Sequence, residues 1–133
     1  MSTVSMTPFL RRVLQADAII SGVAGVAMSL GAGLLKDVLQ LPAELLIAAG
    51  IALFPWAACL LWLAAKPAVP RAAVWAVIAL NGVWVIDSAW VSLGGSYHPN
   101  ALGHAFIAAQ ALMVLVLAEL EFTGLRRSPA LAI

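Results

Sequence analysis

Few residues in this 133-residue chain could do chemistry: six Asp/Glu, two His and one Cys. Their spacing sorts most of them into two layers. Asp17 lies about 9 Å along a helix from Arg11, at 1.5 Å per residue. Glu119 and Glu121 precede Arg126 by about 11 and 8 Å on the same rise. Asp17, Glu119 and Glu121 therefore form an inner acidic layer close to basic residues. One reading is a set of interhelical ion pairs with Arg11, Arg12, Arg126 or Arg127, or snorkelling toward headgroups. The sharper one is a proton or cation site in which Asp17 or Glu119 titrates.

The outer layer gathers around Asp87. Trp84, Asp87, Ser88 and Val91 share one helical face. His104 opens the next helix at a similar depth, His98 lies in the preceding loop, and Glu44 comes near the start of the second apolar segment. A convergent Asp87, His104, Glu44 and His98 could bind a metal or work as acid and base. The plainer expectation is a hydrogen-bonded Asp87–His104 pair that pins two helices. The spacing matches no metal motif, so no metal or other cofactor is assigned. No P-loop, GxSxG, HExxH or dinucleotide fingerprint occurs either, and the balance tips away from an enzyme. The lone Cys59 excludes an intramolecular disulfide and CxxC chemistry within one chain, and reads as a small buried apolar side chain.

Three further features concern packing. Asn81 and Gln110 lie at mid-depth and read as interhelical glue first, pocket lining second. Ser21, Gly25, Ser29 and Gly33 recur every four residues, a stripe that lets another backbone approach closely. It serves either packing inside the chain or a seam with a second copy. Pro55 falls inside an apolar segment beside Trp56, which predicts a kink and room for a small hydrophobic pocket.

The elements that carry these residues follow from composition. Hydrophobic residues make up 64% of the chain and charged ones 10%, and the mean hydropathy is +1.05. A soluble domain would need far more surface charge. A spanning helix needs about 20 mostly apolar residues, and four segments qualify: 12–35, 43–65, 72–94 and 101–123. The N-terminal run is too long for a signal peptide and reads as an uncleaved first span. The expected fold is all-α, a four-helix transmembrane bundle forming one domain over 1–133.

Charge then sets orientation. Arg11 and Arg12, Lys66 and Arg71, and Arg126 and Arg127 fall on one side of a four-span chain, with Lys36 alone opposite. The positive-inside rule makes both termini cytoplasmic. Trp62, Trp75 and Trp90 fit interfacial belts. A shift of 60 residues superposes Arg11 on Arg71, Ser21-Gly22-Val23 on Asn81-Gly82-Val83, and Lys66 on Arg126. This pattern reads as a parallel duplication of a helical hairpin, over about 11–66 and 71–126.

The chain resembles the many small four-span proteins of bacterial inner membranes. That resemblance spans its whole length and implies no site residues. The small multidrug-resistance transporters also have four spans and an acid in the first, but the rest of this chain does not look like theirs. No motif matches the DoxX-type proteins. The expected partners are the lipid bilayer and a homo-oligomer or larger membrane complex, without nucleic acid. The leading expectation is a self-associating bundle or accessory subunit of a membrane complex; the alternatives are a proton-linked small-solute transporter or channel using Asp17 and Glu119, and a membrane enzyme or redox protein using the outer Asp87, His104 and Glu44.

Overall fold

The computed structural model describes residues 2–131. Four long helices dominate: α1 (Pro8–Leu30), α3 (Ala43–Ala64), α4 (Arg71–Leu93) and α5 (Ala101–Arg127). All four are long and apolar enough to cross a membrane, and Ile19, Val23, Leu30, Ile86 and Leu93 lie exposed on their outer faces. Such faces suit lipid and would be a liability in water. This is the architecture of a multi-pass membrane protein.

The first helix departs from the expected 12–35. Thr7 accepts a hydrogen bond from the Leu10 amide (3.2 Å) and Pro8 takes the first helical position. The cap starts α1 early, because a proline there removes no needed donor. Arg11 and Arg12 thus lie inside the helix rather than before it. The helix stops at Gly31, where a side chain would collide with the Ala27 carbonyl. A separate short helix, α2 (Ala32–Leu39), follows and covers one end of the bundle, burying Ala32 and Leu39. The proline at 55 does not break α3, which runs through it unbroken.

The purely helical expectation also needs amending. Three short strands, β1 (Thr3–Ser5), β2 (Ala68–Pro70) and β3 (Ala130–Leu131), form an antiparallel sheet with β1 in the centre. Val4 pairs with Val69 on one side and Ala130 on the other. Backbone bonds extend the seam: Met6 N donates to Pro67 O (2.9 Å) and Arg71 N to Ser2 O (3.0 Å). The sheet gathers both chain ends and the 66–71 turn, with six of the seven basic residues, at one end of the bundle.

The helices form an open ring. Helix α1 packs on α3 and α5, and α4 packs on α5, but among the described residues no comparable backbone approach joins α3 to α4. Near the sheet, Leu60 and Ala64 of α3 and Val74 and Val77 of α4 share a core with Leu10, Leu14 and Leu125. Farther from the sheet, Leu45 and Ala49 of α3 and Trp84 and Val91 of α4 line a common cavity.

Close backbone contacts fix the ring. Gly25 of the small-residue stripe faces Gly50 of α3: a Cβ on Gly25 would lie 2.9 Å from Gly50 O. Ser29 turns its hydroxyl inward to Gly25 O (2.6 Å). Ser21 belongs to a polar cluster described below. Gly33 has left the stripe, since it sits exposed in α2 with nothing within 4 Å of where a Cβ would stand. The far end is closed by Asn100, whose side chain accepts from Gly103 N (2.8 Å) and donates to Val38 O (2.8 Å). A Cβ on Gly103 would strike Leu39 O and lie 2.6 Å from Pro99 Cβ. Gly103→Ala is therefore expected to destabilise by about 2 kcal/mol or more through overpacking. A thermal midpoint in detergent should fall for Gly103→Ala and hold for Gly82→Ala, where nothing lies within 4 Å.

Candidate functional site

Polar side chains in an apolar bundle need partners, and here they assemble in two places. The deeper one joins three helices. Asp17 (α1), Asn81 (α4) and Glu121 (α5) are 1%, 4% and 0% exposed. The Asn81 side-chain amide donates to Asp17 Oδ2 (2.9 Å) and to Glu121 Oε1 (2.8 Å). Ser21, one turn beyond Asp17, donates to Asp17 Oδ1 (3.1 Å). Both oxygens of Asp17 are thus satisfied. Glu121 Oε2 is buried and has no hydrogen-bond partner among the described residues.

Basic residues nearby are engaged elsewhere. Arg11 gives its Nε to Ala64 O (2.8 Å) and an Nη to Lys66 O (3.3 Å), tying α1 to the end of α3. Arg126 lies over the Phe122 ring and Arg127 over the Phe9 ring. The expected ion pairs of Asp17 and Glu121 with these arginines are replaced by a shared neutral amide. The cluster is walled by Leu14, Ala18, Leu60 and Val77, so two acids face one another through Asn81 in low-dielectric surroundings. Leaving both charged would be expensive.

Glu119 does not join them. It is exposed on the outer face of α5, where its backbone carbonyl accepts from Thr123. Two residues separate Glu119 from Glu121, which is about 200° of helix rotation. Of the inner acidic layer, Asp17 and Glu121 come together and Glu119 points away.

Beside Asn81 the helices leave an open cavity of about 520 Å³. Asn81 lines its floor. Helix α3 contributes Ala52, Leu53 and Trp56, and α5 contributes Phe106, Gln110 and Met113. Trp84 and Asp87 of α4 line both this cavity and a neighbouring one of about 200 Å³. A second polar network holds this wall. Trp84 Nε1 donates to Gln110 Oε1 (2.5 Å), and Gln110 Nε2 donates to Ser88 Oγ (2.9 Å) and Ile107 O (2.9 Å). Ser88 donates in turn to Trp84 O (2.7 Å). The Gln110 amide is saturated, and the indole is locked as a rigid wall. Asn81 and Gln110 do not bond to each other; each anchors its own network, and both line the cavity.

The outer residues are dispersed. His104 Nδ1 is 2.6 Å from Ser92 Oγ, so its partner is Ser92 and not Asp87. Glu44, Asp87, His98 and His104 are all exposed. Among the described residues no three His, Cys, Asp or Glu side chains come together in a way that could hold a metal ion. Cys59, expected to be buried, is exposed on the outside of α3, the face that the apolar bundle turns away from its core.

The sequence held one signal for Glu121. Gly103, Gln110, Leu117 and Gly124 recur every seven residues along α5, and all but the half-buried Gln110 are buried. Glu121 lies four residues after Leu117, on that stripe; Glu119 does not. No family model, no curated protein and no solved structure matches the chain.

Proposed function

We propose that this is an inner-membrane protein, both termini cytoplasmic, that binds a small solute in its intramembrane cavity and links that binding to a proton on the Asp17–Asn81–Glu121 cluster. The carrying observation is the buried Glu121 Oε2 that lacks a partner beneath the cavity floor. Asp17 accepts a hydrogen bond at each of its two oxygens. Glu121, with one oxygen free, is furnished to carry the proton. Asn81 couples them to the cavity, because its amide both lines the floor and touches each acid. Gaining or losing the proton changes what Asn81 must satisfy, and hence the floor that a solute meets.

The stripe that favoured a self-associating bundle is used inside the chain at Gly25 and Gly50. The transporter reading therefore gains, with Glu121 in place of Glu119. The matched basic ends and the separate α1–α3 and α4–α5 packing support a duplicated hairpin.

Infrared difference titration of detergent-purified protein tests the proton. A protonated-carboxyl band should be present in wild type and in Glu119→Gln, and absent in Glu121→Gln. A band that persists unchanged in both Asp17→Asn and Glu121→Gln sinks the reading.

A further inference from the structure

Asp87 is used by none of the networks described above. It sits six residues beyond Asn81 on α4, about 9 Å along the axis. It lines both cavities, and it is the one ionisable side chain among the described residues lining either. No basic residue is found among those lining residues. Around it stand the rings of Trp56, Trp84 and Phe106. The indole of Trp84 is held in place by Gln110, so its face is fixed rather than free to fold away.

A carboxylate in an otherwise apolar, aromatic chamber has a definite preference. It repels anions, gives a neutral hydrocarbon no advantage and attracts a positive charge. Aromatic faces add cation–π attraction for a weakly hydrated cation. A small inorganic cation would need several oxygen ligands, and no cluster of that kind exists among the described residues. A volume of about 520 Å³ suits a drug-sized molecule.

We propose that the cavity is a binding site for a lipophilic organic cation, with its charge at Asp87 and its apolar body between Trp56, Trp84 and Phe106. This rests on the solute-binding half of the reading above, and not on the proton at Glu121. Asp87 recognises the charge directly; Asn81 forms the floor.

The test uses wild type and variants in lipid nanodiscs, with tetraphenylphosphonium as the probe and tetraphenylborate as its anionic isostere. Equilibrium dialysis is corrected for uptake by empty discs. Wild type should bind the phosphonium saturably and the borate not at all. Asp87→Asn should weaken phosphonium binding about tenfold or more, while Asp87→Glu retains most of it. Trp84→Phe should weaken it by a smaller factor. Thermal midpoints check that each variant is folded. Absent saturable phosphonium binding in wild type, equal binding of the borate, or undiminished binding by a folded Asp87→Asn overturns the proposal. Glu121→Gln separates the two readings. It should keep phosphonium binding at fixed pH while losing the protonated-carboxyl infrared band. Loss of binding in Glu121→Gln equal to that in Asp87→Asn would move the charge recognition to the buried cluster and overturn the assignment to Asp87. A protonated-carboxyl band retained in Glu121→Gln would count against the proton at Glu121 while leaving the cation site standing.

Discussion

Asn81→Leu is expected to destabilise the folded protein by about 3–5 kcal/mol, the scale found when a buried charged group loses its partner. One side-chain amide supplies a donor to Asp17 Oδ2 and another to Glu121 Oε1. Leucine removes both and leaves two acids confined with only Ser21 to serve Asp17. The loss should appear as a large drop in thermal midpoint in detergent, or as failure to recover folded protein. A companion experiment separates polar desolvation from lost volume. The triple variant Asp17→Leu, Asn81→Leu and Glu121→Leu replaces the whole cluster with hydrocarbon and should regain much of the stability, because whole buried polar sets exchange for apolar ones at little net loss. If Asn81→Leu unfolds at the wild-type temperature, the cluster contributes no structural constraint. The contrast also explains why such a cluster is informative: an apolar core would be easier to build, so its presence points to use.

The second large effect is Gly50→Leu. A Cβ on Gly50 would lie 2.8 Å from Ser29 N, 3.0 Å from Gly25 O and 3.1 Å from Met28 Cβ. Two of these are backbone atoms that cannot rotate aside. Helices α1 and α3 must separate, and the dispersion contacts along their crossing are lost with the approach. The expected loss is about 3 kcal/mol, at the upper end for overpacking. Gly22→Leu is the matched control, because nothing lies within 4 Å of the position its Cβ would take. Leucine also favours helix over glycine by up to about 1 kcal/mol. Gly22→Leu should therefore be neutral or slightly stabilising in the same melting assay. Equal melting of both variants would mean that the α1–α3 contact is not tight.

How much of this was legible beforehand differs by feature. The helix positions follow from runs of apolar residues, and α3, α4 and α5 start within a residue of expectation. Depth was legible too, since rise per residue places Asp17 and Glu121 at matching levels. Facing was not. In a soluble helix a polar face marks the outside, but lipid is as apolar as a core, so hydrophobicity is nearly uniform around the axis. Glu119 and Glu121 were therefore equivalent in depth and indistinguishable in direction. Only the seven-residue recurrence of Gly103, Gln110, Leu117 and Gly124 separates them. The break at Gly31 was hidden for a related reason. It interrupts no hydrophobic run, and the turn there leaves no room for a Cβ beside Ala27 O, which suits a glycine. The sheet could not be read either, because three strands of two or three residues carry no periodicity.

That sheet sets β3 directly beside β1. Thr3 and Leu131 are register partners on neighbouring antiparallel strands, the arrangement a two-residue hairpin turn would join. Tying β3 to β1 by such a turn would leave every helix contact as it is, and fresh ends could be opened in the exposed stretch around Gly94-Gly95. A ring so closed would have no loose end from which to peel, whereas the natural strand order makes β1 the shared neighbour of both other strands. Pulling out Thr3–Ser5 would unzip two seams at once.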